Sequence, residues 1–147
     1  MMKLALGADH GGYSLKELLK QHLQEQGYQI EDCGTYDTAS CNYPVYAEKV
    51  ARAVADGQAE LGILVCGTGI GMSIAANKIP GIRAAAVSDC FAAQATREHN
   101  NSNILCLGER IVGPGLAMRI VDTWLNASFQ GGRHQTRVDM ISALEQR

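Results

Sequence analysis

Hydrophobic and polar positions along this chain alternate between a short, continuous pattern and a helical one. Lys3 to Ala8 is an apolar run that reads as a strand and ends in Asp9-His10-Gly11-Gly12. Leu15, Leu18, Leu19 and Leu23 then recur at helical spacing up to Gly27, and Ser14 with Glu17 has the form of a capping box at the start. Tyr28 to Cys33 reads as a second strand, followed by a polar loop to Tyr43. Pro44 opens a second helix carrying Ala47, Val50, Ala51 and Val54, with Asp56-Gly57 as its stop. Leu61 to Cys66 is apolar throughout, the mark of a strand covered on both faces. A glycine-rich turn leads into a helix over Met72 to Lys78, closed by Pro80-Gly81. Ile82 to Ser88 reads as the fourth strand, Asp89 as the cap of a helix running to about Glu98, and Asn103 to Leu107 as the fifth strand. Leu116, Ile120, Val121, Trp124 and Leu125 share one face of a further helix, and Val138, Ile141 and Leu144 share a face of the last.

Five strands separated by helices predict an α/β protein: a five-stranded parallel sheet between two helical layers, joined by right-handed crossovers. No repeat or linker divides the chain, so residues 1–147 are expected to form a single domain, with Gly131-Gly132 as a hinge before a C-terminal helix.

Composition narrows the function classes. Thirteen Lys and Arg against fifteen Asp and Glu leave a net charge of −2, which offers no electrostatic footprint for nucleic acid or an anionic membrane. The longest uncharged run, Leu61 to Asn77, is too short to span a bilayer and is broken by Gly67, Gly69 and Gly71. The apolar start meets Asp9 and His10 too soon for a secretory signal. Five cysteines without a C-x-x-C pair are expected to be free thiols, as in a reducing cytoplasm. Four scattered histidines give no local metal motif, so no metal is expected.

Ligands of such sheets bind at the carboxyl ends of the strands. Three loops there carry chemistry: Asp9-His10-Gly11-Gly12, Cys66-Gly67-Thr68-Gly69-Ile70-Gly71 and Gly108-Glu109-Arg110. Successive glycines entering a helix present backbone N–H groups with the positive end of the dipole behind them, which makes an anion site. The dinucleotide fingerprint fails because Met72 stands where its last glycine belongs, and no Gly-Lys-Ser/Thr follows. Cys66 opens this loop, where a helix N-terminus favours the thiolate and so a base or nucleophile. The alternative is a small apolar residue at a strand end. Asp9-His10 reads either as a helix cap with a surface histidine or as a pair of sugar contacts. His99 either complements a helix C-terminus or acts chemically. Arg133 and Arg137, four residues apart, share a helical face that is either solvated or suited to a phosphate.

These motifs together resemble type B ribose-5-phosphate isomerase, a family that also includes galactose-6-phosphate and allose-6-phosphate isomerases. The resemblance is carried in order by Asp9-His10-Gly11-Gly12, Cys66 to Lys78, Gly81-Ile82-Arg83-Ala84, His99-Asn100 and Gly131-Gly132-Arg133-His134-Gln135-Thr136-Arg137. It implies a Rossmann-like three-layer α/β/α fold without nucleotide, no cofactor, and metal-independent aldose–ketose isomerisation of a sugar phosphate. It also implies a homodimer, which a dimer of dimers would extend. Carried over by position, Cys66 matches the proton-abstracting base and His99 the acid that helps open the sugar ring, while Thr68 stands where it can orient the ring oxygen or the thiolate. Asp9 and His10 match sugar contacts, and Gly67, Thr68, Gly69, Ile70 and Gly71 match the enediolate anion hole. Asn100, Arg110, Arg133 and Arg137 match substrate-binding positions, the arginines chiefly for phosphate. A second branch carries a Glu base where this chain has Met72, which leaves Cys66 as the base.

The expected reaction interconverts ribose 5-phosphate and ribulose 5-phosphate through a cis-enediolate. Allose 6-phosphate, galactose 6-phosphate or a tetrose phosphate are the alternative substrates. A non-catalytic phospho-ligand sensor and a cysteine hydrolase are the rivals from other classes. Asn42, Phe91 and Glu109 depart from the family pattern, and a carboxylate beside Arg110 is expected to weaken or reorient its grip on phosphate. The helix from Asp89 to Glu98 rises roughly 15 Å away from the strand ends. His99 is therefore expected to lie far from Cys66 of its own chain and to serve a neighbouring subunit.

Overall fold

In the computed structural model, which describes residues 2–146, five strands alternate with five helices and a sixth helix follows the last of them. In chain order they are Lys3–Ala8 (β1), Tyr13–Glu25 (α1), Gln29–Asp32 (β2), Tyr43–Ala55 (α2), Leu61–Cys66 (β3) and Ile70–Ala76 (α3). Ala84–Ala86 (β4), Cys90–Asn100 (α4), Ile104–Gly108 (β5), Pro114–Asn126 (α5) and Arg133–Ala143 (α6) follow, and a single 3-10 turn, Leu144–Gln146, comes after α6. The strands form one parallel sheet in the order β2-β1-β3-β5-β4.

The sheet is covered on both faces, as expected. Leu15, Leu19 and Leu23 of α1, Ala93 of α4 and Ala117, Ile120, Val121 and Trp124 of α5 pack on Leu4, Leu6, Ile63, Val65, Leu105 and Leu107. On the opposite face, Ala47, Val50 and Ala51 of α2 and Met72 and Ala76 of α3 meet Ala5, Leu64, Cys66, Ile104 and Cys106. Alternate residues of one strand thus feed two cores, which is why β3 is apolar at every position and buried at every position.

Four sequence expectations are corrected. The capping box at Ser14–Glu17 does not form: Gly12 is the N-cap of α1 with no side-chain cap. Glu17 instead lies 3.3 Å from the Lys16 ammonium. Helix α3 begins at Ile70, two residues before Met72, because Gly69 at φ 78° turns the chain straight off β3. The second strand is shorter than Tyr28 to Cys33, and the fourth shrinks from Ile82–Ser88 to three residues. Ile82 and Val87 are apolar because they are buried beside β4, not because they belong to it.

Strand β4 is a sheet edge. The Asn77 side chain donates to the Ala84 carbonyl at 2.9 Å and accepts the Ala84 N–H at 2.8 Å, occupying the outward-facing groups of that residue.

Lys16 is the one fully buried lysine among the described residues. Its ammonium donates to both Asp32 oxygens at 2.7 and 2.9 Å and to the Thr35 carbonyl at 2.7 Å. Burial pushes the Asp32 carboxyl up, but Lys16, the Gly34 N–H and Lys20 outweigh it and hold it below its ordinary value of 3.8. The folded value lies under the unfolded one, so this contribution to stability is present above pH 3.8 and is lost as pH falls below it. Asp32→Asn is expected to flatten the acid limb of the stability curve below that pH, read by denaturant midpoints from pH 5 to pH 2.

Gly12 marks the closest approach of α1 to β3: a Cβ there would stand 2.3 Å from the Val65 carbonyl oxygen. Gly12→Ala is expected to cost about 2–3 kcal/mol, seen as a lower denaturant midpoint at unchanged slope.

Candidate active site

The chain leaves β1 toward one edge of the sheet and leaves β3 toward the other, so the loops after these neighbouring strands diverge and open a crevice. Asp9, His10 and Gly11 line one side and Cys66 to Gly71 the other, with Gly11 packed against the backbone of Gly67. The loop after β5 closes the end. Glu109 N–H donates to the Cys66 carbonyl at 2.9 Å and Arg110 N–H to the Gly67 carbonyl at 3.0 Å. The exposed Arg110 side chain lies over Gly67.

Cys66 is 6% exposed at the head of the glycine loop. Its sulfur is not sealed in hydrocarbon: Gly69 N–H, the N-cap of α3, donates to Sγ at 3.0 Å. That contact supplies a backbone dipole aimed at the sulfur, with the helix start behind it. Two other thiols are held protonated. Burial, then Glu31 and Asp32, push Cys33 up to about 11. Burial and the neighbouring Cys66 push Cys106 up as well.

Thr68 is exposed, and its Oγ1 accepts the Ile70 N–H at 3.2 Å, which leaves its hydroxyl proton free to face the crevice. Asp9 is nearly buried, and its Oδ1 accepts the N–H groups of Gly11 at 2.9 Å and Gly12 at 3.2 Å. Asp9 thus closes the turn before α1 and is not the cap of the helix, whose N-cap is Gly12. His10 is fixed from outside: Cys41 N–H donates to its Nδ1 at 3.2 Å, so a neutral ring carries its proton on Nε2.

His99 and Asn100 end α4, and residues 101–103 lead directly into the start of β5 at Ile104. They stand at the amino end of the sheet, one strand length from Cys66. Arg133 and Arg137 lie on α6, and Gln130 N–H donates to the Glu98 carbonyl, tying the approach to α6 to the end of α4. The His99 and His134 rings stack with centroids 4.4 Å apart and planes at 13°. Desolvation, then His99, Arg133 and Arg137, hold His134 below the ordinary histidine value. His99, Asn100, Arg133 and Arg137 are all exposed.

The structure thus divides the expected residues into two groups. Asp9, His10, Cys66, Gly67, Thr68, Gly69, Ile70, Gly71 and Arg110 meet at the β1/β3 crevice, and His99, Asn100, Arg133 and Arg137 gather at the other end of the same chain. A groove of ≈ 730 Å³ lies on the second side, lined by residues that include Asn77, Arg83, Asn100, Ile141 and Glu145. Among the described residues, no group of three or more His, Cys, Asp and Glu side chains is placed to hold a metal. No helix of the described residues is long and apolar enough to cross a membrane.

Two contributors escaped the sequence reading. Tyr43, half-exposed at the start of α2, packs its ring against Gly71 at the rim of the glycine loop. Cys41 orients His10 from a loop with no pattern of its own. The Glu109 carboxylate accepts the Leu15 N–H of α1 at 2.7 Å and forms no ion pair with Arg110.

Comparison with known proteins extends this geometry. The family model for ribose/galactose isomerases matches residues 4–141. The chain is 52% identical over 147 residues to ribose-5-phosphate isomerase B of Escherichia coli, covering 100% of this chain and 99% of that one. It is 43% identical over 147 residues to D-erythrulose-4-phosphate isomerase of Pectobacterium atrosepticum, covering 99% and 96%. Its structure is similar to that of ribose-5-phosphate isomerase B of Clostridium thermocellum, with a TM-score of 0.98 and 54% identity over 99% of this chain and 98% of the other.

Proposed function

Since the chain belongs to the ribose/galactose isomerase family and is a sugar-phosphate isomerase, we propose that it interconverts ribose 5-phosphate and ribulose 5-phosphate, with Cys66 as the base. The observation that carries this reading is the hydrogen bond from Gly69 N–H to the Cys66 sulfur, at the mouth of the glycine loop.

In the open-chain aldose, the Cys66 thiolate takes the proton from C2, and the electron pair moves onto the C1 oxygen to give a cis-enediolate. A proton passes between the two oxygens, and Cys66 returns its proton to C1. With Gly69 N–H on the Cys66 sulfur and Ile70 N–H on Thr68 Oγ1, the Gly67, Thr68 and Gly71 N–H groups of the loop face the developing oxyanion, where one preorganised donor is worth about 3–4 kcal/mol. Thr68 and the Nε2–H of His10 donate to sugar oxygens, and Asp9 holds the turn that aims His10. His99 protonates the ring oxygen as the furanose opens. Asn100 binds the sugar, and Arg110, Arg133 and Arg137 bind the phosphate, whose remote binding energy holds the reacting carbons beside Cys66.

One chain does not bring these groups together, so the reading includes a homodimer in which the His99 end of one chain completes the Cys66 crevice of the other. Ile70 and Ile74 on the outer face of α3 and Phe91 at the start of α4 are 53%, 59% and 83% exposed, an apolar surface suited to such a partner.

The erythrulose-phosphate relative favours a second reading, a four-carbon substrate for the same chemistry. A panel of tetrose, pentose and hexose phosphates incubated in deuterated water and followed by NMR separates the two. The expected result is conversion of ribose 5-phosphate to ribulose 5-phosphate with solvent deuterium entering the carbon that receives the proton. Faster turnover of a tetrose phosphate would establish the second reading, and conversion without any deuterium would replace proton transfer by a hydride shift.

A further inference from the structure

Helix α1 opens directly from the loop that carries Asp9 and His10, and its first turn has no side-chain cap of its own. The Asp9 Oδ1 is already shared between the Gly11 and Gly12 N–H groups. The Leu15 N–H, a first-turn donor without an intrahelical partner, is taken by the Glu109 carboxylate at 2.7 Å, from 94 residues further along the chain. A carboxylate at this end of a helix also meets the positive end of its dipole. The same residue's N–H donates to the Cys66 carbonyl, and the next residue's N–H to the Gly67 carbonyl. Glu109 therefore touches the α1 start with its side chain and the head of the glycine loop with its backbone.

We propose that Glu109 is a positioning residue for the isomerisation site, holding the Asp9-His10 loop at a set distance from the Cys66–Gly71 loop by capping α1. The inference rests on the reading of these two loops as the substrate site. It also accounts for Arg110: with the neighbouring carboxylate engaged at Leu15, the guanidinium makes no ion pair with Glu109 and stays available to an anion. Glu109 touches no reacting atom. It acts through the placement of His10 and the turn that Asp9 holds.

The test compares Glu109→Ala with Glu109→Gln, which keeps an acceptor oxygen of the same reach. Glu109→Ala is expected to lower kcat/KM about tenfold, with most of the loss in kcat, since displaced reacting groups slow the chemical step. Glu109→Gln is expected to restore most of it. A folded Glu109→Ala enzyme with unchanged kcat and KM would reduce the contact to a structural cap and overturn the proposal. Equal losses in both variants would also overturn it, because the lost charge and not the hydrogen bond would then be responsible. Backbone amide spectra give a readout independent of any substrate. Glu109→Ala is expected to speed exchange of the Leu15 amide and to move the Asp9 to Gly12 resonances, whereas an unmoved loop rejects the clamp even if the enzyme acts on some other sugar. Should the wild-type enzyme convert no sugar phosphate, the reading of the substrate site fails while these amide signals still report on Glu109.

Discussion

Cys66→Ala is expected to lower the isomerisation rate about 100- to 10,000-fold, the range over which one positioned proton-transfer group contributes, while the protein stays folded. The fold tolerates the change because the sulfur makes one hydrogen bond, from Gly69 N–H, and losing such an acceptor costs about 1–3 kcal/mol. Cys66→Ser is the sharper variant. It keeps an acceptor for Gly69 in the same place but replaces a thiol by a far weaker acid, so activity should stay lost while stability returns. Kinetics on ribose 5-phosphate, with thermal unfolding of each variant, measure both halves. A serine variant with near-normal turnover would remove Cys66 from the chemistry and leave the glycine loop as a binding feature alone.

A dimer purified to contain one Cys66→Ala chain and one His99→Ala chain is expected to recover about half of wild-type activity, although each homodimer alone is inactive. The two-fold arrangement produces one site with both residues intact and one with neither. Distinct affinity tags on co-expressed chains isolate the mixed species. If a single chain supplied both residues, each site of the mixed dimer would lack one of them and no activity would return. The separation of the two groups underlies this expectation: His99 lies at the amino end of the sheet and Cys66 at its carboxyl end.

The alternation of patterns was enough to place all five strands and all six helices, since burial on both sheet faces imposes an apolar residue at every position of β3 and a helical stripe on α1, α2 and α5. The separation of His99 from Cys66 followed from the rise of one helix. Cap chemistry at the start of α1 was not legible, because the group that satisfies Leu15 comes from Glu109 and no local window contains it. The same holds for His10, whose Nδ1 partner is the Cys41 backbone in a loop without periodicity, and for Tyr43, which reads as an ordinary aromatic beside a proline until it is seen against Gly71. Strand ends were overextended where apolar residues such as Ile82 and Val87 flank β4, because sequence pattern reports burial and not pairing.

The Asn77 amide imitates, at Ala84, the hydrogen bonds that an adjoining strand would make. A strand approaching along that border finds the Ala84 rung already taken, so this edge is a poorer template for another chain to extend. A guard against edge-to-edge pairing at this border is thus built into the residue that ends α3.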